Sequence, residues 1–190
     1  MTLLGSGSVI RVVEYDPAWV ARFEALRSEY DEALSAAEVP VVAIEHVGST
    51  AVPGLAGKPV IDCDIIVEEP HVEAASAVLV SLGFSPLGEL GIPQRRAFDE
   101  PERLAGTNTY VIVAGSLALQ NHLAVRDVLR ADRRLRDEYG DVKKRVGAGA
   151  ADIYAYGAGK NAMVQRILAA AGLSEDDRAS IDANQVPIRR

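Results

Sequence analysis

Apolar residues recur along the chain at two different spacings, and each spacing predicts a kind of element. Runs of apolar and β-branched residues predict strands at Val9–Tyr15, Val41–Val47, Val60–Val67, Phe84–Leu87 and Thr107–Val113. Apolar residues three or four apart predict helices at Ala18–Ala37, Pro70–Leu82, Leu119–Tyr139 and Asp152–Ala171, with a short helix or turn at Ser49–Leu55. Strands that precede a set of C-terminal helices, without regular alternation, indicate an α+β protein.

Stretches without such a spacing set the predicted domain boundaries. Small residues predict a flexible leader over residues 1–11, and polar residues predict a tail over 173–190, so one domain is expected over 12–172. Within it, Gly88–Gly106 has no periodicity and is long for a connection, which predicts a functional loop. The charged cluster Asp132–Arg145 is predicted to be the solvated face of a helix.

Composition and charge narrow the classes of partner. The chain has 190 residues, with 20 basic and 27 acidic side chains and a net charge of −7. This balance makes nucleic acid an unfavourable partner and favours a small-molecule substrate. The single cysteine, Cys63, excludes an internal disulfide. Neither a membrane-spanning run nor a signal-peptide pattern is evident, so we expect no membrane partner and a cytoplasmic protein; a homodimer is compatible with the helices.

The most informative motif joins a Gly-Ser turn to a pair of aspartates. Gly48–Ser49 follows a predicted strand, and Asp62 and Asp64 lie two apart in the most apolar strand. Residues two apart on a strand point to the same face, so the two carboxylates are expected side by side. A hard divalent cation, Mg²⁺ or Mn²⁺, would relieve their repulsion, and Mg²⁺ commonly brings a nucleotide phosphate with it. The alternative is a strand end that faces solvent.

This spacing resembles the signature of the DNA polymerase β-like nucleotidyltransferase superfamily. The resemblance implies a mixed sheet flanked by helices, with Gly48 and Ser49 on triphosphate oxygens. It also implies that Asp62 and Asp64 are catalytic and hold the metal ions. The residue chemistry agrees, because glycine lets a backbone approach a phosphate and a serine hydroxyl donates to it. Ser49 could instead only cap the following helix.

A longer resemblance, over about residues 12–171, is to the GrpB family. It rests on the runs Tyr15–Trp19, Glu45–Pro59, Gly91–Arg96 and Arg126–Arg130, together with Asp62 and Lys160. GrpB-like proteins are assigned to the nucleotidyltransferase-like fold and have no generally established activity, so the resemblance implies a fold more strongly than a reaction. Candidate substrate-binding residues are the basic side chains of Lys58, Arg95, Arg96, Arg126 and Lys160, since such groups recognise phosphate and carboxylate oxygens.

Each of these basic residues also has an ordinary interpretation as a surface ion pair or a solvated side chain. Glu45 and His46 lie on opposite faces of a predicted strand and are weaker candidates, as an ion-pair partner and as a hydrogen-bonded group. His122 is expected on the same helix face as Arg126, because the two are four residues apart.

One departure from the family bears on the reaction. The later strand of GrpB-like proteins usually carries a Thr-His-His-x-His-like run, whereas Thr107–Val111 contains no histidine and no carboxylate. Asp99, Glu100 or Glu102 could supply the third carboxylate of the superfamily. The expected function is metal-dependent transfer of a nucleotidyl group from a nucleoside triphosphate to a small-molecule acceptor. The alternatives are a non-catalytic nucleotide- or metabolite-binding domain and a different transfer or ligation reaction in the same pocket.

Overall fold

The computed structural model describes residues 10–184. These residues fold around one five-stranded sheet. Its strands are β1 (Ala43–Val47), β2 (Ile61–Val67), β3 (Ser85–Gly88), β4 (Arg95–Asp99) and β5 (Thr107–Val113). The helices are α1 (Ala18–Ala36), α2 (Val72–Ser81), α3 (Leu117–Ala131), α4 (Arg133–Gly149), α5 (Ile153–Ala170) and α6 (Glu175–Asn184).

The sheet is mixed, with β2 and β5 near its centre. The strand order is β1-β2-β5-β4-β3; β2 and β5 are parallel, and the other neighbouring pairs are antiparallel. Most residues of β2 and β5 are buried, as expected for apolar strands covered on both faces. The predicted α+β class, with a mixed sheet flanked by helices and further helices at the C-terminal end, is confirmed.

One face of the sheet packs against α1 and α2. Ile61, Cys63 and Ile65 of β2 join a single hydrophobic cluster with the buried stripes of these two helices. Cys63 is fully buried there and free, on the face opposite the two aspartates of β2. This face therefore buries the odd-numbered residues of β2, whereas Asp62 and Asp64 lie on the other face together with the apolar Ile66.

On the opposite face α3 packs against Ile66 of β2 and Ile112 of β5, and α4 and α5 pack against α3. Leu129 of α3, Tyr139 of α4 and Ile167 of α5 form a second hydrophobic cluster, which also includes Val52 and Leu55. The segment between β1 and β2 is therefore held between the sheet and these three helices. No helix in the described part of the chain is both long and apolar enough to cross a membrane.

One strand of the sheet is not predicted by the apolar pattern, and one predicted strand is not formed. Gly88–Gly106, predicted to be a loop, contains β4, whose periodicity is masked because arginines occupy two adjacent positions. In the predicted strand Val9–Tyr15, Val9 lies outside the described residues, and the rest pairs only through an isolated bridge between Val13 and Gly57. The predicted leader lies mostly outside the described residues.

One helix prediction and the predicted polar tail also need correction. The single helix predicted at Leu119–Tyr139 is divided at Asp132, whose backbone is extended and whose carboxylate accepts the backbone N–H of Leu135 as a helix N-cap. Part of the predicted polar tail forms α6, which Ser174 caps through the N–H of Asp177 and which buries Ile181. The end of that tail, 185–190, lies outside the described residues.

Candidate functional site

The Gly48–Ser49 turn is built closely against Asp62. Gly48 has φ +70°, and a Cβ at this position would lie 2.2 Å from Asp62 Oδ2. Both the conformation and the space therefore require glycine. Ser49 begins a three-residue 3-10 turn, Ser49–Ala51, which is shorter than the predicted helix. Ser49 does not cap this turn with its side chain; its hydroxyl instead accepts a hydrogen bond from the Lys143 ammonium.

Asp62 and Asp64 lie on the same face of β2, as predicted. The parallel register places Asn108 of β5 beside Asp62, and Asn108 Nδ2 donates to Asp62 Oδ1 at 2.7 Å. Burial raises the pKa of Asp62, while the Asn108 hydrogen bond opposes that rise. Asp62 remains partly exposed to solvent, whereas Asp64 is fully buried.

Asp64 is paired with a histidine from α3. His122 Nδ1 lies 2.7 Å from Asp64 Oδ2, and the second oxygen, Oδ1, is buried without a hydrogen-bond partner among the described residues. Burial lowers the pKa of His122, but the Asp64 carboxylate and its hydrogen bond raise it by more, so the net pKa is raised. The pair therefore favours imidazolium, and Asp64 Oδ1 is left as an acceptor that is not used within residues 10–184.

Arg95 and Arg96 point to opposite faces of the sheet because they are adjacent on β4. Arg95 is buried, and its guanidinium lies 4.6 Å from the centre of the Tyr110 ring, on the face that carries the aspartates. Arg96 instead forms ion pairs with Glu73 at 3.4 Å and Glu89 at 2.9 Å. Arg96 was predicted to bind substrate; the structure places it away from the site.

A cavity of about 260 Å³ opens beside Asp62, and three lysines reach it. We call it the lysine cavity; besides apolar side chains, its lining consists of Gly48, Ser49, Lys58, Asp62, Asn108, Tyr139, Lys143, Tyr156 and Lys160. Four of the predicted site residues, Gly48, Ser49, Lys58 and Lys160, are thus brought together with Asp62. Asp62 is the one carboxylate among the lining residues.

Three lysine side chains lie close together in the lysine cavity, and their burial and mutual repulsion lower the pKa of two of them. Burial, followed by Lys160, lowers the pKa of Lys143 to about 7. Burial, followed by Lys58, lowers the pKa of Lys160 to about 8. The Lys160 ammonium lies 4.2 Å from the centre of the Tyr156 ring, and that of Lys58 lies 5.9 Å from it. The arrangement favours an anionic ligand, because an anion would offset both the burial and the mutual repulsion.

Arg126 does not reach the lysine cavity. Its guanidinium donates to Glu45 Oε2 at 2.6 Å, to the His46 carbonyl oxygen at 3.1 Å and to Asp127 at 2.7 Å. It lines a separate cavity of about 560 Å³ between α1, β1 and α3. The predicted substrate role of Arg126 in the same site is therefore not supported by its position, although it shares a helix with His122.

His46 and Glu45 both have partners within the fold; that of Glu45 is the Arg126 guanidinium. The His46 ring is stacked on Phe23 with ring centres 4.5 Å apart, and its Nε2 lies 2.9 Å from the Thr50 hydroxyl. Burial lowers the pKa of His46 to about 4, with Arg130 and Arg126 lowering it further. A neutral, buried and hydrogen-bonded His46 agrees with the interpretation as a satisfied strand histidine.

A third carboxylate does not join the aspartate pair. Within residues 10–184, no group of three or more His, Cys, Asp and Glu side chains is arranged to hold a metal ion. The suggested substitutes, Asp99, Glu100 and Glu102, therefore form no such group with Asp62 and Asp64. The β5 position beside Asp62 is held by the neutral Asn108.

Lys143 and His122 belong to the site, although neither was predicted to be a site residue from the sequence. Lys143 belongs to the cluster that was predicted to be solvated, yet its side chain is 2% exposed. The sequence does contain a sign of this burial, because Lys143 lies four residues after Tyr139 and eight after Leu135, on the apolar stripe of α4. For His122 the helical spacing predicts a face of the helix but no partner, since its contact with Asp64 spans 58 residues.

Comparison with solved structures defines the class of fold. The structure superposes on the Cid1 poly(U) polymerase with a TM-score of 0.51 and 16% identity, over 71% of this chain and 45% of that one. A chain of the GLD-2/RNP-8 complex gives a TM-score of 0.52 and 16% identity, over 78% of this chain and 51% of the other. These likenesses show the nucleotidyltransferase fold, and the fold alone.

The chain belongs to the GrpB family. The family model described as GrpB protein matches residues 9–170. The crystal structure of conserved protein GrpB from Enterococcus faecalis has a TM-score of 0.74 and 30% identity, over 85% of this chain and 96% of that one. UPF0157 protein YqkA of Bacillus subtilis is 32% identical over 73% of this chain but only 40% of its own length. A UPF0157 protein of Deinococcus radiodurans is 33% identical, over 83% of this chain and 80% of its own.

Proposed function

We propose that this protein binds a nucleoside triphosphate with Mg²⁺ or Mn²⁺ and transfers a nucleotidyl group to a small-molecule acceptor. The observation that carries the proposal is the convergence of three lysines and Ser49 on one cavity beside the Asp62/Asp64 pair. The nucleotidyltransferase fold of the chain supports the same reaction class.

Lys58, Lys143 and Lys160 are suited to the polyphosphate. The cavity brings their three amines together with a single lining carboxylate, so the site lacks negative charge that a polyphosphate would supply. Gly48 has no side chain to obstruct an approaching phosphate, and the Ser49 hydroxyl can donate to it. In nucleotidyl transfer these residues bind and orient the polyphosphate rather than react with it.

Asp62 and Asp64 are suited to a hard divalent cation. Two carboxylates share one strand face, and Asp64 Oδ1 is a buried oxygen that lacks a partner among the described residues. When bound, Mg²⁺ or Mn²⁺ would neutralise charge on the phosphates. Arg95, whose Nε is also buried without a partner in residues 10–184, is placed on the same face to stabilise negative charge.

The acceptor is proposed to be small. A cavity of about 260 Å³ accommodates part of a nucleotide rather than a polymer, and the net charge of −7 opposes binding of nucleic acid. The sequence and the site leave the base preference open.

Asn108 favours a second candidate function. It is a neutral residue beside Asp62, where a third carboxylate would otherwise complete the metal site and serve as a base for the acceptor hydroxyl. A domain that binds a nucleotide or metabolite without transferring it would retain the lysine cavity and dispense with that base. A different transfer or ligation reaction in the same cavity is the third candidate.

Binding and turnover are to be measured separately. The wild type and Asp62→Asn are titrated with a panel of nucleoside triphosphates, with and without Mg²⁺ or Mn²⁺, and Asp176→Asn on the exposed surface of α6 is the matched control for charge. Metal-promoted binding that Asp62→Asn loses and Asp176→Asn keeps supports the metal site. Release of pyrophosphate together with a nucleotidylated acceptor supports transfer. Binding without products favours the second candidate, and absence of metal-promoted binding in the wild type overturns the proposal.

A further inference from the structure

The amine of Lys143 is unusually isolated for a buried lysine. The side chain is 2% exposed and forms no ion pair with a carboxylate within residues 10–184; its hydrogen bond goes to the Ser49 hydroxyl. A Cβ at Gly57 would lie 3.1 Å from Lys143 Nζ, so the absence of a side chain at Gly57 provides the space that the amine fills. The centre of the Tyr139 ring lies 5.3 Å from Nζ. Such surroundings favour the neutral amine over the ammonium.

Neighbouring cations act in the same direction. Lys160 and Lys58 both lower the pKa of Lys143, after burial, and Asp62 only partly opposes them. A lysine that is desolvated and lies beside other cations is a nucleophile at neutral pH, because a substantial fraction of it carries a free electron pair.

Tyr156 supplies an independent indication of a ligand. Its hydroxyl is buried and has no hydrogen-bond partner among the described residues, and its ring lies beside both Lys58 and Lys160 in the lysine cavity. A buried hydroxyl without a partner is unfavourable unless a ligand or water satisfies it. A ligand with oxygen atoms at two ends, one near Tyr156 and one near Ser49, would satisfy the polar groups of the cavity.

We propose that Lys143 is a carbonyl-reactive amine that forms an imine with a small aldehyde or ketone carrying a phosphate group, the phosphate being held by Lys58 and Lys160. This activity goes beyond nucleotidyl transfer and shares with it only the binding of a phosphate in the lysine cavity.

The reaction needs no oxidant or reductant. The electron pair of Lys143 Nζ forms a bond to the carbonyl carbon, and the electrons of the C=O π bond move to oxygen. Transfer of a proton from nitrogen to that oxygen gives a carbinolamine, for which the Ser49 hydroxyl is in place to relay the proton. Loss of the hydroxyl group with a proton as water then gives the C=N bond.

Pyridoxal 5′-phosphate is the probe, since it carries both an aldehyde and a phosphate. The protein is incubated with it near pH 7.5, the imine is trapped with borohydride, and the modified residue is located by peptide mass spectrometry. Lys144→Met is the matched control, because Lys144 is adjacent on α4 but exposed and paired with Glu14. We expect Lys143 to be modified at least about tenfold faster than Lys144, because its neutral fraction is far larger.

Three comparisons decide the proposal. Lys143→Met should abolish the adduct, and Lys144→Met should leave it unchanged. Pyridoxal, which lacks the phosphate, should react at least about fivefold more slowly with the wild type, because Lys58 and Lys160 no longer hold the reagent. Inorganic pyrophosphate should protect Lys143 in the wild type, a result that does not depend on any variant folding. An adduct spread over surface lysines, or formed first at Lys58 or Lys160, overturns the proposal whether or not nucleotides bind.

Discussion

Replacing Lys143 with methionine should stabilise the ligand-free protein. Methionine keeps the unbranched shape of the side chain and removes the ionisable amine. The pKa of Lys143 falls from 10.5 to about 7 in the fold, mainly through burial. Since a difference of one in pKa corresponds to about 1.4 kcal/mol, the buried amine costs the folded state on the order of 4 kcal/mol at pH 7. Part of this gain is lost with the Ser49 hydrogen bond, so we expect a net stabilisation of about 2 to 3 kcal/mol.

The pH dependence identifies the cause. The unfolded lysine holds its proton up to about pH 10.5, whereas folded Lys143 loses it near pH 7, so the unfolded state binds more protons between these values. The stability of the wild type should therefore rise with pH across this window, with a smaller contribution from Lys160, whose pKa is lowered to about 8. The advantage of Lys143→Met should accordingly be close to its full size at pH 7, level off below it, and shrink from pH 7 towards pH 10.

Urea unfolding followed by circular dichroism, at pH 7 and at pH 10, measures both quantities. Lys144→Met is the control, since the exposed Lys144 should change the free energy of unfolding by less than about 0.5 kcal/mol at either pH. A Lys143→Met protein that is less stable than the wild type at pH 7 would refute the reasoning. So would a stability difference that is the same at pH 7 and pH 10.

Three further predictions concern the turn, the arginines and the lysine cavity. Gly48→Ala should lower the free energy of unfolding by about 2 to 4 kcal/mol because of its positive φ and its contact with Asp62, whereas Gly149→Ala, where a Cβ meets nothing within 4 Å, should not lower it; thermal and urea unfolding compare the two. Arg95→Gln should weaken binding of a magnesium nucleotide by at least about fivefold in calorimetry, and Arg96→Gln by less than about twofold, because only Arg95 lies on the aspartate face. Binding of pyrophosphate to the lysine cavity should take up on the order of one proton at pH 8 and weaken from pH 7 to pH 9, measured by calorimetry in buffers of different ionisation enthalpy; no proton uptake would contradict the lowered lysine pKa values.

The spacing of residues along the chain was enough to predict the aspartate pair and the Gly-Ser turn, which make up one half of the site. The i, i+2 relation placed Asp62 and Asp64 on one face, and the Gly-Ser pair predicted a tight turn that the φ of Gly48 confirms. Both inferences depend on geometry within a few residues, which the backbone fixes. The fold class followed in the same way from apolar periodicity, while β4 was missed because Arg95 and Arg96 interrupt the expected pattern.

Long-range contacts account for what the sequence could not predict. Lys143 meets Ser49 across 94 residues, and this contact, which forms only when α4 packs over the turn, cannot be read from the charge pattern that predicted a solvated helix face. Its burial depends on Leu135 and Tyr139 on the same stripe, which fix the rotation of α4. Charge is thus an unreliable sign of exposure where a lysine shares a stripe with aromatic residues.

A long-range contact also brings to the site the imidazole that β5 lacks. Asn108 and Tyr110 occupy the β5 positions opposite Asp62 and Asp64, so the strand itself contributes an amide and a phenol. An imidazole nevertheless reaches the site, because α3 crosses this face and places His122 against Asp64. The chemistry at the aspartate pair is therefore set by two elements at once, and β5 alone does not decide it. His122 contacts only Oδ2 of Asp64, and Oδ1 has no hydrogen-bond partner among the described residues, so under the proposed function a metal would bind Asp64 through Oδ1 while His122 keeps Oδ2.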